Sequence, residues 1–377
     1  MNDRDLHGRL IGQQGGREAF NTPVLVIDLD RLERNISAMA AFAKAHGVAL
    51  RPHAKTHKSV DIARLQKQAG AVGNCCAKLG EAETLAEGGI DSILITSPVV
   101  SAPAIARLAA LNEKIRDLRV VVDNPRNLAD LAQAAATGRP LQIVIDIDPG
   151  IRRTGVRDAA AAVEIAAAAT AAPAINYLGV QFYCGREQHV EAFKDRREAL
   201  QDRTAFLREV IAALTAEGYP PGVVTGGGTG THLIDVELGV LNELQVGSYV
   251  FMDRQYNDCE IAPDGSPVFE TSLFVDARVV SANTPGMATI DSGFKALATD
   301  GGPPAIASGA PEASIFHFMG DEHAALVSPD DRFEIGTRVS LVVPHCDPTV
   351  NLYDFYHVVR GDTLVDIWPV SARGASR

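Results

Sequence analysis

The sequence predicts an α/β protein: a (β/α)8 TIM-like barrel followed by a C-terminal, mostly antiparallel β domain. Three observations carry that prediction. Eight short β-rich runs between residues 48 and 248 alternate with helix-like stretches. Beyond about residue 266 the pattern changes to strands separated by Gly, Pro, Asp and Asn turns. The 377 residues, 46% of them hydrophobic, suffice for one large core and a smaller second domain.

The first run, PVLVIDLD (23–30), precedes the barrel and reads as a strand lent to the β domain. The barrel strands follow as VALRP (48–52), VGNCCA (72–77), SILITS (92–97), LRVVVD (118–123), QIVIDID (142–148), INYLGVQFY (175–183), GVVTGG (222–227) and ELQVGS (243–248). Between them, SVDIARLQKQAG, GEAETLAEGG, APAIARLAAL and DAAAAVEIAAAATAA carry apolar residues at three- and four-residue spacing, the mark of amphipathic helices. EAFKDRREALQDRTAFLREVIAALTAEG (191–218) is the clearest helix and ends on glycine. The weakest link is 228–242, a crossover too short for a good helix. The later strands read as FETSLFVDARVVSA, MATIDSGFK, RVSLVVPH, YDFYHVVRG and TLVDIWPVSA. The expected extents are 29–265 for the barrel and 266–377 for the β domain, with a strand from 1–28.

Lys plus Arg number 35 against 47 Asp plus Glu, a net charge of −12. That balance argues against partners such as nucleic acid or an anionic membrane. No run approaches the ~20 apolar residues of a membrane span, and the polar start MNDRDLHGRLIGQQGGREAF lacks a signal peptide's apolar centre. Five cysteines without a CxxC pair suit a reducing, cytoplasmic location.

In such a barrel, side chains just past the strand C-termini surround the active site. RPHAKTHK (51–58) sets five potential cations directly after the first strand's apolar VAL. It is either a solvated basic turn or a segment in which one lysine does covalent chemistry. Lys55 follows strand one and Arg153, in DPGIRRTG, follows strand five. Tyr183 ends strand six, with His189 close behind in YCGREQH. TGGGTG (225–230) follows strand seven and GSY (247–249) follows strand eight. Small residues there let backbone N–H groups close on a phosphate, and Thr229 and Ser248 add donors. A phosphate cradle opposite a lysine points to pyridoxal 5′-phosphate, whose aldehyde condenses with a lysine amine. The bland alternative is that Lys55 and Lys58 are ordinary surface lysines; Lys58 reads as peripheral in either case.

PHAKTHK, RRTG, QFYCG, VTGGGTGT, LQVGSYVFMD, GDEH and PHCDPTVNLYD together resemble the D-threonine aldolase and D-serine dehydratase-like group, pyridoxal-phosphate enzymes of the alanine racemase fold type. The resemblance runs from about residue 22 to the end and is nearest to D-threonine aldolase. It implies a homodimer, with Lys55 holding the cofactor. It also implies that Arg153 and Tyr183 contact the ring or its substituents, and that Thr229, Gly230, Gly247, Ser248 and Tyr249 hold the phosphate.

His345 and Asp347, two residues apart on an expected strand, point to one side and so are candidate ligands of one divalent cation. An imidazole with a carboxylate suits Mn²⁺ first, with Mg²⁺ or Zn²⁺ as alternatives. In the resembled group the dehydratase branch is His-x-Cys and the aldolase branch His-x-Asp; here the spacing lands on Asp347, with Cys346 half-buried on the opposite strand face. The expected substrate is a β-hydroxy-D-amino acid, cleaved between Cα and Cβ to glycine and an aldehyde. His189, His53 or a metal-bound hydroxide is the candidate base. Rival readings are 3-hydroxy-D-aspartate cleavage, dehydration of D-serine or 3-hydroxyaspartate, a non-catalytic cofactor carrier, and a metal-dependent hydrolase using His53 and His57.

Overall fold

The computed structural model describes residues 2–328 and 332–377. Strands are numbered in chain order. β1 (Val24–Asp28) comes first, followed by β2 (Ala49–Leu50), β3 (Asn74–Cys76), β4 (Ser92–Ile95) and β5 (Asp117–Val122). Next are β6 (Leu141–Ile147), β7 (Ile175–Phe182), β8 (Val223–Gly226) and β9 (Glu243–Leu244). The eight strands β2 to β9 are the eight expected runs. They pair in parallel in the order β2-β9-β8-β7-β6-β5-β4-β3. The ring closes where His53 bridges Cys75, and the Cys75 N–H donates to the Pro52 carbonyl at 2.8 Å. That closure lies two residues before Lys55.

The long expected helix spans Phe193–Ala216 and the alanine-rich one Ala159–Ala171, capped by the Asp158 carboxylate. The short crossover still makes a helix, His232–Leu238, stopped by Gly239 in the left-handed region at φ +64°. Inward-facing residues alternate along each barrel strand and stack in layers. At the N-terminal end, Arg51, Ser92, Asp117, Arg119 and Glu243 form a buried polar layer. Above it Cys75, Leu94, Val121 and Val144 form an apolar one. Thr96, Asp146, Gln181, Thr225 and Gln245 then make a polar floor beneath the C-terminal mouth.

The second sheet gathers β10 (Leu273–Thr284), β11 (Met287–Ile290), β12 (Ala305–Ser308), β13 (Ile315–Phe318), β14 (Ala324–Val327), β15 (Arg338–Val342), β16 (Phe355–Arg360) and β17 (Thr363–Pro369). β1 joins it, antiparallel to β10 and parallel to β16, as its apolar run predicts. β12, β13 and β14 are additions to the expected set.

One sequence expectation fails here. RVSLVVPH does not carry its strand through to His345: β15 ends at Val342, and Cys346–Val350 turn into a short helix. The Asp253 carboxylate accepts the Cys346 N–H at 2.8 Å, and Pro348 is tolerated in a first turn, where its missing N–H has no intrahelical partner to lose. Cys346 is accordingly fully buried rather than half-buried on a strand face. Lys58 also departs from expectation. It is not peripheral but buried, its Nζ 2.6 Å from the Glu81 carboxylate.

Candidate active site

The RPHAKTHK segment leaves β2 and winds into a tight 3-10 turn over Ala54–Thr56. His53 caps that turn: its Nδ1 accepts the Lys55 backbone N–H at 3.3 Å. Its Nε2 lies 3.0 Å from the Thr96 hydroxyl, which itself donates to the Cys76 carbonyl. Both imidazole nitrogens of His53 are therefore engaged in holding the turn.

Lys55 projects between the barrel mouth and the β domain. On one side is a cavity of about 210 Å³ lined by His53, Thr96, Arg153, Gln181, Tyr183 and Gln245. On the other, Lys55 Nζ stands 2.5 Å from Asp347 Oδ1, and the Thr56 hydroxyl donates to Asp347 Oδ2 at 2.6 Å. Burial disfavours both charges, but the pairing outweighs it. Lys55 is held above the ordinary lysine value, and Asp347 well below the usual carboxylate range.

His345 and Asp347 do face each other, though as the cap and second residue of a helix rather than as strand neighbours. Nε2 of His345 is 3.9 Å from Asp347 Oδ2, and its Nδ1 is 2.7 Å from Asp300 Oδ2. With Nδ1–H given to Asp300, the Nε2 lone pair faces Asp347, an arrangement recurrent in metal-ligating histidines. The donor set fits a hard or borderline divalent cation completed by water. Among the described residues, no cluster of three or more His, Cys, Asp or Glu side chains is built to hold a metal.

His189 packs against Tyr256 with ring centroids 4.5 Å apart. Burial, with His345 and Lys55 nearby, pushes its imidazole down to about 4, so it is neutral near pH 7. Arg153 lies over the Tyr183 ring at 5.7 Å, and both line the cavity.

The glycine cradle is partly closed on itself. The Gly230 N–H donates to Gln188 Oε1 at 3.0 Å, and a Cβ at residue 230 would lie 2.1 Å from the Gln188 carbonyl. The glycine there serves that close packing. Thr229 Oγ1 accepts the Tyr249 N–H at 2.9 Å, and the fully buried Tyr249 phenol takes a hydrogen bond from Gln66. Ser248, next to Gly247, sits 3.2 Å from the Thr56 hydroxyl. The lysine facing a cavity, the guanidinium and phenol on its wall, and the hydroxyls of Ser248 and Thr229 fit the donors that pyridoxal phosphate requires. Thr56, Asp300, Tyr256 and Gln188 are neighbours that the sequence reading missed. Only Thr56 had a local signal, as the residue after the lysine.

The alanine racemase N-terminal domain family matches residues 27–255, and a serine dehydratase domain matches 272–359. A 3-hydroxy-D-aspartate aldolase of Paracoccus denitrificans (strain Pd 1222) is 42% identical over 94% of this chain and 92% of its own. A D-threonine aldolase of an Arthrobacter species is 39% identical over 95% and 94%. The crystal structure of D-threonine aldolase from Filomicrobium marinum superposes with a TM-score of 0.90 at 38% identity, covering 96% of this chain and 97% of that one. A D-threo-3-hydroxyaspartate dehydratase of a Delftia species is 29% identical over 93% and 97%. The chain belongs to the alanine racemase N-terminal domain family, whose fold implies pyridoxal phosphate. Within that family it is a carbon–carbon lyase, an aldolase like these relatives.

Proposed function

We propose that this lyase cleaves β-hydroxy-D-amino acids, D-threonine among them, to glycine and an aldehyde, using pyridoxal phosphate and a divalent cation. The observation that carries the reading is the single contact joining Lys55 to Asp347. It sets an amine for the cofactor beside a carboxylate and imidazole for a cation, at the mouth of one cavity.

When bound, pyridoxal phosphate supplies an aldehyde for the Lys55 amine and a ring that takes up the electron pair freed from Cα–Cβ, and the cation lowers the pKa of the β-hydroxyl. The chain's own groups do the rest. Arg153 and Tyr183 meet the ring or its substituents, while Gly247, Ser248 and the Thr229 hydroxyl hold the phosphate. Gly230 and Tyr249 shape that cradle, since their N–H groups already bond Gln188 and Thr229. His345 Nε2 and Asp347 hold the cation, Mn²⁺ first, and Asp300 keeps the imidazole in the ligating tautomer. Neutral His189 accepts the β-hydroxyl proton. His53 positions the Lys55 turn, because neither of its nitrogens is free for substrate. The barrel-and-β-domain division at about residue 265, a homodimer and a cytoplasmic location belong to the same reading.

A second reading, cleavage of 3-hydroxy-D-aspartate, is favoured by the 42% identical relative. A second substrate carboxylate would then draw on a cation, and Arg153 is the guanidinium on the cavity wall. Asp347 at the ligand position, where the dehydratase branch carries cysteine, speaks against dehydration.

The test is a product assay with D-threonine and with 3-hydroxy-D-aspartate, run with Mn²⁺ and with EDTA. Glycine plus acetaldehyde, lost to chelator and restored by metal, supports the first reading. Glycine plus glyoxylate from the second substrate alone supports the other. Ammonia and a 2-oxo acid would overturn both.

A further inference from the structure

Lys55 and Asp347 are each required twice. The cofactor needs the Lys55 amine and the cation needs the Asp347 carboxylate, yet in the chain alone the two groups are engaged with each other at 2.5 Å. We propose that cofactor and cation bind cooperatively: a free Lys55 ammonium occupies the cation's carboxylate, and linking Lys55 to pyridoxal phosphate vacates it. This inference rests on the roles given above to Lys55, His345 and Asp347, and goes beyond them to how the site is filled.

The linkage itself removes the competitor. The amine nitrogen attacks the aldehyde carbon and the C–N bond forms. The carbonyl oxygen would leave as water with two of the ammonium's three hydrogens, and the nitrogen would keep the third together with the positive charge, now held away from Asp347 by its bond to the cofactor. Its position is then fixed by the new double bond instead of by Asp347.

The carboxylate does not follow the lysine. Thr56 still donates to Oδ2 at 2.6 Å, and the backbone of residue 347 is locked in a helix whose first N–H is capped by Asp253. Half-buried and no longer bonded to the lysine nitrogen, Asp347 is left an anion in want of a partner, which a protein interior tolerates poorly. The second ligand is already in place, with His345 Nε2 3.9 Å from Oδ2 and its ring held from behind by Asp300. A divalent cation arriving before the cofactor would instead meet an ammonium on the same carboxylate, bonded to Oδ1 beside the Oδ2 that faces His345, a like-charge contact at short range. Binding linkage is reciprocal, so each partner tightens the other by the same factor.

The experiment is a Mn²⁺ titration read by the paramagnetic resonance signal of the free aqua ion, which reports binding and not turnover. It compares full-length protein stripped of pyridoxal phosphate, the same protein reloaded, and cofactor-free Lys55→Ala. The stripped wild type is expected to bind Mn²⁺ about tenfold or more weakly than the reloaded protein. Lys55→Ala, lacking the competing ammonium, is expected to bind close to the reloaded value without any cofactor. Stripped and reloaded affinities within about twofold of each other would overturn the coupling while leaving the cation site standing. A Lys55→Ala protein no tighter than stripped wild type would overturn the role given to the ammonium. Absence of Mn²⁺ binding in every form would overturn the cation assignment itself. If Lys55→Ala fails to fold, the two wild-type titrations decide the question alone.

Discussion

Arg51 and Lys55 leave the same strand four residues apart, each meeting carboxylates, and the structure uses them in opposite ways. Arg51 points into the barrel and is 1% exposed, its guanidinium 3.0 Å from Glu243, 3.7 Å from Asp117 and 2.9 Å from the Ser92 hydroxyl. Arg119 and Gln142 complete that layer, and it opens on no cavity where chemistry is placed. Lys55 points the other way, meets one carboxylate, and opens on the cavity at the strand C-termini. A cation whose partners enclose it fixes a structure; a cation with one partner and an open side remains available to react.

The largest effect expected from this contrast is on catalysis at Lys55. Lys55→Ala should lower turnover by several orders of magnitude and abolish the absorbance of the lysine-bound cofactor, because among the described residues no other amine lines the cavity wall. The fold should survive, since water entering through the cavity can take over the partly exposed Asp347 carboxylate. Arg51→Leu should do the reverse. It leaves Glu243 and Asp117 buried with a missing partner, at a cost of about 3–5 kcal/mol read as a lowered denaturation midpoint. The surviving folded molecules should keep the cofactor spectrum. An Arg51 variant that is stable but inactive would erase the distinction between the two cations.

A smaller effect separates the chain's holding groups from its reacting ones. Thr56→Val keeps the shape of a fully buried side chain but removes the hydroxyl between Ser248 and Asp347. Cation affinity should fall by roughly 10–100-fold, the range typical of outer-shell partners, and Thr56→Ser should restore it. Asp300→Asn should weaken the cation by a similar factor through the His345 tautomer. Calorimetric titration of the loaded protein measures both; unchanged affinity in either variant would remove that residue from the site.

How much of this was legible depended on how locally each feature is encoded. The eight barrel strands were readable because strands buried on both faces become apolar, β-branched runs such as SILITS and QIVIDID. Lys55 was readable because its neighbours in PHAKTHK mark it within a few residues. β12, β13 and β14 were not, since AIAS, IFHF and AALV span four residues each and carry too little alternation to stand out. The pairing of His345 with Asp347 was anticipated on a wrong geometry. The helix that brings them together starts on the Asp253 carboxylate, more than ninety residues earlier, and no local pattern reports that. Thr56–Asp347 and Asp300–His345 are likewise long-range meetings of polar groups that composition leaves invisible.

The smallest expected effect lies away from the barrel and tests whether enclosed groups respond to pH as the contrast requires. The Asn21 N–H donates to His7 Nε2 at 2.9 Å, which leaves His7 Nδ1–H to donate to His357 Nε2 at 2.7 Å. Burial first, and His7 second, push His357 down to about 3, from an ordinary value near 6.5. Between those values the unfolded chain binds a proton there that the folded chain refuses. The stability supplied by keeping this ring neutral is fully present above pH 6.5 and is lost as pH falls toward 3. The slope is about 1.4 kcal/mol per pH unit at most for one such group. His357→Leu abolishes that term while costing a buried hydrogen bond, so the variant should be less stable than wild type at pH 7. The gap should narrow as the pH is lowered from 6 to 4, measured by urea denaturation at each pH. A gap that stays constant would mean that His357 takes up its proton inside the fold, and that enclosure in the β domain is looser than enclosure around Arg51.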